Sequence, residues 1–354
     1  GGDRDGNPYV TTQITLDVAE RLRQSILRNY YRDIKRLKRR FTFSGVQEIL
    51  VRLEKRLYKH VVRSYANVNF SQKILLDELE TAKEIVINKH QSLFLDELND
   101  VINKIRIFGF HFATLDIRQD SRVHHSAFTQ LVKDLLASGD TTFPEDYFSF
   151  SEKEQLAFLA TVKGKIDPTI LTDEMSVKTI ESMYAIKTVQ ARNGERGSNR
   201  YIISNNQTAL HVMQAFAMLN LCDFEDCLPV DVIPLFETVD DLQNAEEVMR
   251  TIYTNQHYRA HVAQRKNKQT IMLGFSDGTK DGGYLMANWG IFKAKEALTK
   301  ISREFGIEVI FFDGRGGPPA RGGGKTHQFY ASLGPTIEDK EIQLTVQGQT
   351  ISSN

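Results

Sequence analysis

The feature that most constrains this chain is an alternation of short apolar runs with helix-like stretches, from about residue 106 to residue 346. The runs predicted to be strands are 106–118, 201–204, 230–237, 270–276, 308–312 and 342–346. Short apolar strands separated by helices are typical of parallel sheets, because a helix must return the chain to the same end of the sheet. The alternation therefore predicts an α/β fold.

Long amphipathic stretches precede and interrupt this alternation. Residues 11–40, 45–66 and 71–105 carry apolar side chains at three- and four-residue spacing, and residues 151–163 and 173–192 are predicted helices between the first two strands. We expect residues 1–105 to form an opening loop and a long helical segment. Residues 106–354 are expected to hold the strands, with a helical insertion near 140–195. The basic cluster at 32–40 is interleaved with Ile and Leu, which favours a solvated helix face over a nucleic-acid arm.

Charge and cysteine content limit the partners of this chain. The 45 basic and 45 acidic side chains balance, which argues against nucleic acid or an anionic membrane as a general partner. No apolar run has the ~20 residues of a membrane span. Cys222 and Cys227 are interpreted as two reduced thiols, which favours a cytosolic setting. The opening on a site-like loop without Met leads us to expect a piece of a longer protein.

Polar side chains follow almost every predicted strand. They are Asp116, Arg118 and Gln119, then Ser204 and Asn205, Glu237 and Thr238, Ser276 and Asp277, Asp313 and Arg315, and Gln347. If the strands are parallel, these groups gather on one rim, where barrel enzymes carry their sites. Loops are polar in any protein, which explains each residue singly. The set of acids, arginines and a lysine directly after buried runs favours a functional rim.

The residue types on this rim suit a metal and an anion. Glu237 and Asp277 offer carboxylate oxygens with no His or Cys beside them, which favours Mg²⁺ or Mn²⁺. Arg118 and Arg315 are fork-shaped donors for phosphate or carboxylate. Lys280 could stabilise charge or donate a proton. The glycine-rich stretch 314–324, with Pro318-Pro319 at its centre, is typical of a mobile lid.

Several other residues are less informative. His111, between Phe110 and Phe112, and Trp289, on a predicted helix, are interpreted as packed structure. His124, His125 and His327 open helices beside the rim, so packing and support of the site remain equally open for them.

The stretch Ile271–Gly283 resembles the lysine-bearing active-site signature of the phosphoenolpyruvate carboxylase family, with Phe275, Gly278 and Thr279 in place of the usual Tyr, Ser and Ala. The likeness continues, in the family's order, at Gly1–Thr11, Leu115–Arg122, Tyr201–Ser204, Pro234–Leu242, Gly314–Gly323 and Thr345–Gly348. It covers essentially the whole chain.

The resemblance implies a (β/α)8 barrel, incomplete here because its first strand lies upstream, with long additional α-helices. The implied reaction joins phosphoenolpyruvate and bicarbonate on Mg²⁺ or Mn²⁺. In the family mechanism bicarbonate attacks the phosphoryl group, giving carboxyphosphate and the enolate of pyruvate, and the enolate captures the released CO₂ to form oxaloacetate. This is an anaplerotic reaction that feeds the tricarboxylic acid cycle.

The motifs also assign roles. Glu237 and Asp277 match metal ligands, Lys280 matches the active-site lysine, and Arg118 and Arg315 match phosphate-binding arginines. Arg321 matches the arginine of the mobile loop, which in regulated members also contacts the inhibitor aspartate. We expect Asp3, Arg4, His124, Asp313 and His327 to surround these groups. The parent is expected to be a homotetramer.

Two departures from the family pattern matter. The Thr-Ala-His-Pro-Thr motif of the catalytic histidine and the C-terminal helical region are absent from this sequence, so we expect this chain alone to show little or no turnover. Asp313 replaces the usual His, which would add negative charge near bicarbonate. The alternatives are another phosphoenolpyruvate- or pyruvate-handling barrel enzyme, and a non-catalytic anion-binding module.

Overall fold

The computed structural model describes residues 1–5, 7, 9–62, 70–224, 227–274, 276–314 and 326–345, with the backbone alone at 276–281 and 326. The helices are α1 Thr12–Arg40, α2 Val46–Val62, α3 Gln72–Lys89, α4 Leu95–Phe108, α5 Ser121–Ala137, α6 Glu152–Leu159, α7 Glu174–Asn193, α8 Ala209–Asn220, α9 Val239–Thr254, α10 Gln256–Gln264, α11 Ser276–Glu304 and α12 Thr326–Ala331. The strands are β1 Ile117–Asp120, β2 Arg200–Ser204, β3 Asp231–Phe236, β4 Lys268–Leu273, β5 Glu308–Asp313 and β6 Ile342–Leu344. The α/β prediction is confirmed.

The chain divides into two compact units. One comprises residues 1, 10–115 and 185–199, and the other comprises 2–9, 116–184 and 200–354. The predicted division at residue 105 stays a prediction. Among the described residues, no helix is both long and apolar enough to cross a membrane. Both cysteines are free thiols, as predicted, with Cys222 buried and Cys227 exposed.

The first unit is built from helices α1 to α4 around an apolar core. Thr11 caps α1 by accepting a hydrogen bond from the backbone N–H of Ile14. The buried side chains recur at three- and four-residue spacing, as in Leu50, Leu53 and Leu57 of α2. Burial of these stripes holds the helices together.

The second unit is built on a six-stranded sheet whose strands pair in the order β1 to β6, all parallel. Asp3 extends this pairing on the outer side of β1, where it forms a parallel bridge with Arg118. Gly2 is required there, because a Cβ atom at this position would lie 2.1 Å from the carbonyl oxygen of Asp116. The opening loop thus joins the sheet edge.

The sheet is strongly curved. Arg200 on β2 donates a hydrogen bond of 2.8 Å to Oε1 of Gln343 on β6, and its guanidinium lies 5.7 Å from the ring of Phe312 on β5. In a flat sheet β2 and β6 would be about 19 Å apart, since neighbouring strands are ~4.8 Å apart. Side chains of β2 to β5 meet in one apolar cluster of Ile202, Ile233, Leu235, Met272 and Phe312. Curvature of this kind is consistent with part of a barrel.

Ion pairs join the amino-terminal ends of the strands. Asp231 at the start of β3 accepts from Arg265 at 2.6 Å, and Lys268 at the start of β4 contacts Glu308 at 3.1 Å and Glu341 at 2.9 Å. Polar groups at this end of a parallel barrel serve stability, whereas those at the carboxyl ends serve function.

Three local predictions were wrong. Residues 106–108 complete α4, and β1 begins only at Ile117, because Gly109 at φ +49° ends the helix after its last apolar turn. The stretch 71–105 is two helices, broken where Gln91, Ser92 and Phe94 adopt positive φ. The strand predicted over 270–276 ends at Leu273, and Ser276 begins α11, which is broken at Gly283 (φ 79°, ψ 169°).

Candidate active site

The carboxyl ends of the strands come together as predicted. The backbone N–H of Asn205, after β2, donates to Oε2 of Glu237, after β3, at 2.7 Å. The N–H of Gly274, after β4, donates to the carbonyl of Phe236 at 2.8 Å. Gly314, after β5, donates to the carbonyl of Leu273 at 2.8 Å. These bonds place the ends of four strands on one rim.

Arg118 is at the centre of the described part of this rim. Its Nη2 lies 2.6 Å from Oδ2 of Asp5 and 3.4 Å from Oε1 of Glu237, and its Nε lies 3.8 Å from Oδ1 of Asp3. The side chain is 23% exposed, so solvent reaches it only in part. One guanidinium therefore faces three carboxylates.

The electrostatic environment keeps Arg118 charged. Burial acts to lower the pKa of its guanidinium, but the hydrogen bond that Arg118 donates to Asp5 and the charges of Asp3, Glu237 and Asp5 outweigh it and raise the pKa. Arg118 therefore remains a cation and a donor for an anionic ligand at any ordinary pH.

Glu237 is held from three sides. Besides the bond from Asn205, its own backbone N–H donates to Oδ2 of Asp241, in the first turn of α9, at 3.3 Å. Thr238 and Asp241 form a capping box that fixes the start of this helix. A Cβ atom at Gly274 would lie 3.1 Å from both Cα and Cγ of Glu237, so this glycine permits the close approach of the end of β4.

The oxygen donors of Glu237 fit a hard divalent cation. The described residues contain no group of three His, Cys, Asp or Glu side chains that could hold a metal ion. The second predicted ligand, Asp277, lies three residues beyond Gly274, in the stretch where the backbone alone is described. The structure thus brings Gly274, three residues before Asp277, next to Glu237.

The two predicted residues of the opening loop, Asp3 and Arg4, make different contacts. Asp3 belongs to the cluster around Arg118. Arg4 donates from Nη1 to the carbonyl oxygen of Lys178 at 3.0 Å, and burial lowers the pKa of its guanidinium, against the opposing charges of Tyr201 and Glu181. Arg4 therefore ties the opening loop to α7.

His124 is packed beneath the rim. It is fully buried in the first turn of α5, and its Nε2 lies 2.8 Å from the hydroxyl of Tyr201. Burial lowers the pKa of its imidazole to about 3. His125 bonds Gln214 at 3.3 Å, while His327 is exposed on α12. His124 is therefore packed against Tyr201, and its support of the site stays a prediction.

Asp313 is the buried last residue of β5. Its Oδ2 accepts a hydrogen bond from Nζ of Lys295 on α11 at 2.6 Å and another from the hydroxyl of Tyr330 on α12. The sequence reading expected added negative charge at this position. Lys295 supplies the matching positive charge.

Sequence reasoning missed Asp5, Lys295 and Tyr330. Lys295 had a detectable signal, because it interrupts a helical stripe of otherwise apolar or small residues that includes Ile291 and Leu298. A lysine at a core position requires a buried partner.

The remaining predicted residues differ in their placement. Arg315 and Arg321 lie outside the described residues, as does the side chain of Lys280. The interpretation of Trp289 as packed structure was wrong, because its side chain is 57% exposed and stacks on Phe292 at 6.0 Å. His111 is buried as expected, in a turn rather than a strand, and burial lowers its pKa to about 4.

Comparison with known proteins decides the family. The family model for phosphoenolpyruvate carboxylase matches residues 1–73 and 46–354, two overlapping stretches that together cover the chain. The chain belongs to the phosphoenolpyruvate carboxylase family. The resemblance inferred from the motifs is thereby confirmed.

Individual members of the phosphoenolpyruvate carboxylase family match along the whole chain. The phosphoenolpyruvate carboxylase of Nitrosomonas eutropha is 30% identical over 100% of this chain and 42% of its own length. Those of Rhodothermus marinus and Shewanella halifaxensis are each 30% identical over 99% of this chain, and 43% and 42% of their own lengths. The chain therefore spans about two fifths of the length of these relatives.

Proposed function

We propose that the full-length protein containing this chain carboxylates phosphoenolpyruvate with bicarbonate to give oxaloacetate and phosphate, with Mg²⁺ or Mn²⁺. The observation that carries the proposal is the contact of Arg118, the second residue of β1, with Glu237 at the carboxyl end of β3, in a chain of this family. Arg118 is a hydrogen-bond donor for anions and Glu237 is a carboxylate that can bind a metal ion, and the two are within 3.4 Å of each other. Together they can bind the phosphate and the metal ion of a metal-bound phosphate ester.

Each residue of the site has a proposed role. Glu237 and Asp277 hold the divalent cation, which when bound supplies charge neutralisation for the phosphoryl group. Arg118 and Arg315 orient the phosphate through paired N–H donors. Lys280 stabilises the negative charge that develops as the enol oxygen loses its phosphoryl group. Arg321 closes over the reacting groups with the glycine-rich segment.

The proposed architecture is a (β/α)8 barrel. The bridge at Asp3 and strands β1 to β6 provide seven parallel positions in sequence order, and the contact of Arg200 with Gln343 shows the curvature that closure requires. We place the eighth strand between β6 and the Asp3 segment. An experimental structure of the full-length protein with that gap open would contradict this architecture.

The reaction is tested on the full-length protein by following oxaloacetate and phosphate together. With phosphoenolpyruvate, bicarbonate and Mg²⁺, the two products should form in equal amounts, and omission of bicarbonate should abolish both. No oxaloacetate would refute the proposal. Phosphate release that is independent of bicarbonate would favour another phosphoenolpyruvate-handling enzyme instead.

A matched pair of variants links the reaction to the site. Glu237→Gln removes the charge of a proposed metal ligand and should lower kcat/KM about 100-fold or more. Glu247→Gln makes the same change at an exposed position of α9 and serves as the control. Equal activities of the two variants would show that the reaction does not use Glu237.

Three further expectations stay proposals. The isolated chain should show little turnover, because it lacks the family's histidine motif, and its assay beside the full-length protein checks this. Homotetramer formation is checked by sedimentation. Inhibition by aspartate through Arg321, which lies outside the described residues, is checked by comparing the Arg321→Met variant with the wild-type protein.

A further inference from the structure

Lys295 and Asp313 form a buried ion pair that none of the assigned roles uses. Their side chains are 1% and 3% exposed, and the nitrogen and oxygen atoms are 2.6 Å apart. The ammonium of Lys295 also lies 5.2 Å from the ring of Phe311 and 5.3 Å from that of Tyr330. The hydroxyl of Tyr330 donates to the same carboxylate oxygen. Three elements, α11, β5 and α12, meet at this point.

The location of this ion pair indicates a role beyond stability. Removing two charges from water costs more than most ion pairs return, so a pair of this kind is weak evidence for a stabilising role alone. Asp313 ends β5 and stands two residues before Arg315, the proposed phosphate donor. Lys295 lies on the part of α11 that follows the break at Gly283, whereas the proposed catalytic Lys280 precedes that break. The pair therefore connects the carboxyl end of β5, which leads to Arg315, with the helical segment that follows Lys280.

We infer that Lys295 is a positioning residue: its buried ammonium neutralises Asp313 and holds the carboxyl end of β5, so that the segment bearing Arg315 meets the substrate anion without an opposing charge. The inference rests on the proposed function, since it concerns the binding of phosphoenolpyruvate. It differs from a packing role in one respect. The sign of the charge that is left unpaired determines the effect on substrate binding.

The test uses this sign in the full-length protein. Lys295→Met leaves a carboxylate unpaired near the site of an anionic substrate, and should raise KM for phosphoenolpyruvate about tenfold. Asp313→Asn leaves a cation instead, and should leave this KM unchanged or lower it. The double variant carries neither charge, and its KM should return to within about threefold of the wild-type value. Both single variants should melt several degrees below the wild type, because each leaves one buried charge unpaired.

Two controls separate charge from packing. Lys300→Met removes a lysine at an exposed position of the same helix and should change neither KM nor the melting temperature. Lys295→Arg keeps the positive charge and should retain a lower KM than Lys295→Met. A purely structural role would lower kcat in both single variants and move KM in the same direction in both, without recovery in the double variant.

The outcomes distinguish this inference from the proposed function. A wild-type protein that forms no oxaloacetate refutes the proposed function, and with it this role. An active wild-type protein in which Lys295→Met and Asp313→Asn shift KM in the same direction refutes the role of Lys295 and leaves the reaction intact. A KM raised in Lys295→Met but unchanged or lowered in Asp313→Asn, with recovery in the double variant, supports it, and a KM that Lys295→Met leaves unchanged refutes it.

Discussion

Arg118 and Glu237 contact each other at 3.4 Å. Arg118 therefore competes with the metal ion for the carboxylate of Glu237, and Glu237 competes with the substrate anion for the guanidinium of Arg118. Replacing Arg118 by Met should therefore change the affinities for Mn²⁺ and for phosphoenolpyruvate in opposite directions. Binding of Mn²⁺ should become tighter, because Glu237 loses a competing cation and the rim gains net negative charge. Binding of phosphoenolpyruvate should become weaker, because a fork of N–H donors is lost.

The magnitudes follow from the geometry. Two unit charges ~4 Å apart interact by about 4 kcal/mol at an effective dielectric constant of 20 and by about 1 kcal/mol in water. Arg118 is 23% exposed, so its repulsion of a nearby cation lies between these limits. Allowing for hydration of the released carboxylate, we expect Mn²⁺ affinity to rise about tenfold. Loss of charged hydrogen bonds worth about 1.5–3 kcal/mol should weaken phosphoenolpyruvate binding by about 10- to 150-fold.

The assay is titration of Mn²⁺ by electron paramagnetic resonance, followed by calorimetry with phosphoenolpyruvate in the absence of bicarbonate. Arg122→Met is the matched control, because Arg122 is 77% exposed and pairs with Asp120 rather than Glu237. Weaker binding of both ligands in Arg118→Met would refute the competition and indicate a collapsed rim. Unchanged binding of both would show that Arg118 is outside the site.

Two further predictions concern His124 and Gly274. Burial lowers the pKa of His124 to about 3. Between about pH 6.5 and pH 3 the unfolded chain therefore binds a proton that the folded protein does not, so the free energy of unfolding falls as the pH drops through this range. His124→Gln should reduce the slope of the unfolding free energy by about 1.4 kcal/mol per pH unit in urea titrations, and an unchanged slope would contradict neutral burial. Gly274→Ala should displace Glu237 and weaken Mn²⁺ binding about tenfold. Gly290→Ala is the control and should not weaken binding, because its new Cβ would lie at an ordinary 3.5 Å from Leu242. Equal Mn²⁺ affinities of the two variants would contradict the close approach of Gly274 to Glu237.

The sequence predicted the elements that carry strong periodic signals. The amphipathic stretch 11–40 predicted helix α1 closely. Strands β2 to β5 were predicted closely too, because apolar runs bounded by polar residues identify buried parallel strands. The proximity of Asn205 and Glu237 was implied by parallel strands whose carboxyl ends share a rim. Arg118, which the sequence placed at the end of its strand, is instead the second residue of β1 and contacts Glu237 from there.

The predictions that were wrong depend on local competition. The aromatic stretch after Arg106 has strand propensity, but the apolar stripe of α4 continues through Ile105 and packs as a helix, so tertiary burial overrides propensity. The partners of Asp313 were beyond the reach of the sequence, because an ion pair between a helix and a strand has no fixed spacing. The orientation of Arg4 towards Lys178 is of the same kind.

The two sides of the described rim differ in net charge. Around β1 and β3, Asp3, Asp5 and Glu237 contribute three negative charges against the single positive charge of Arg118. At the end of β5, Asp313 is matched by Lys295 within 2.6 Å. A surplus of carboxylates on the first side suits the divalent cation proposed there, and the pairing removes the opposing charge that the proposed anion-binding arginines would otherwise meet at the end of β5. The proposed role of Lys295 thus accounts for an acid at the position where the resemblance implied a histidine.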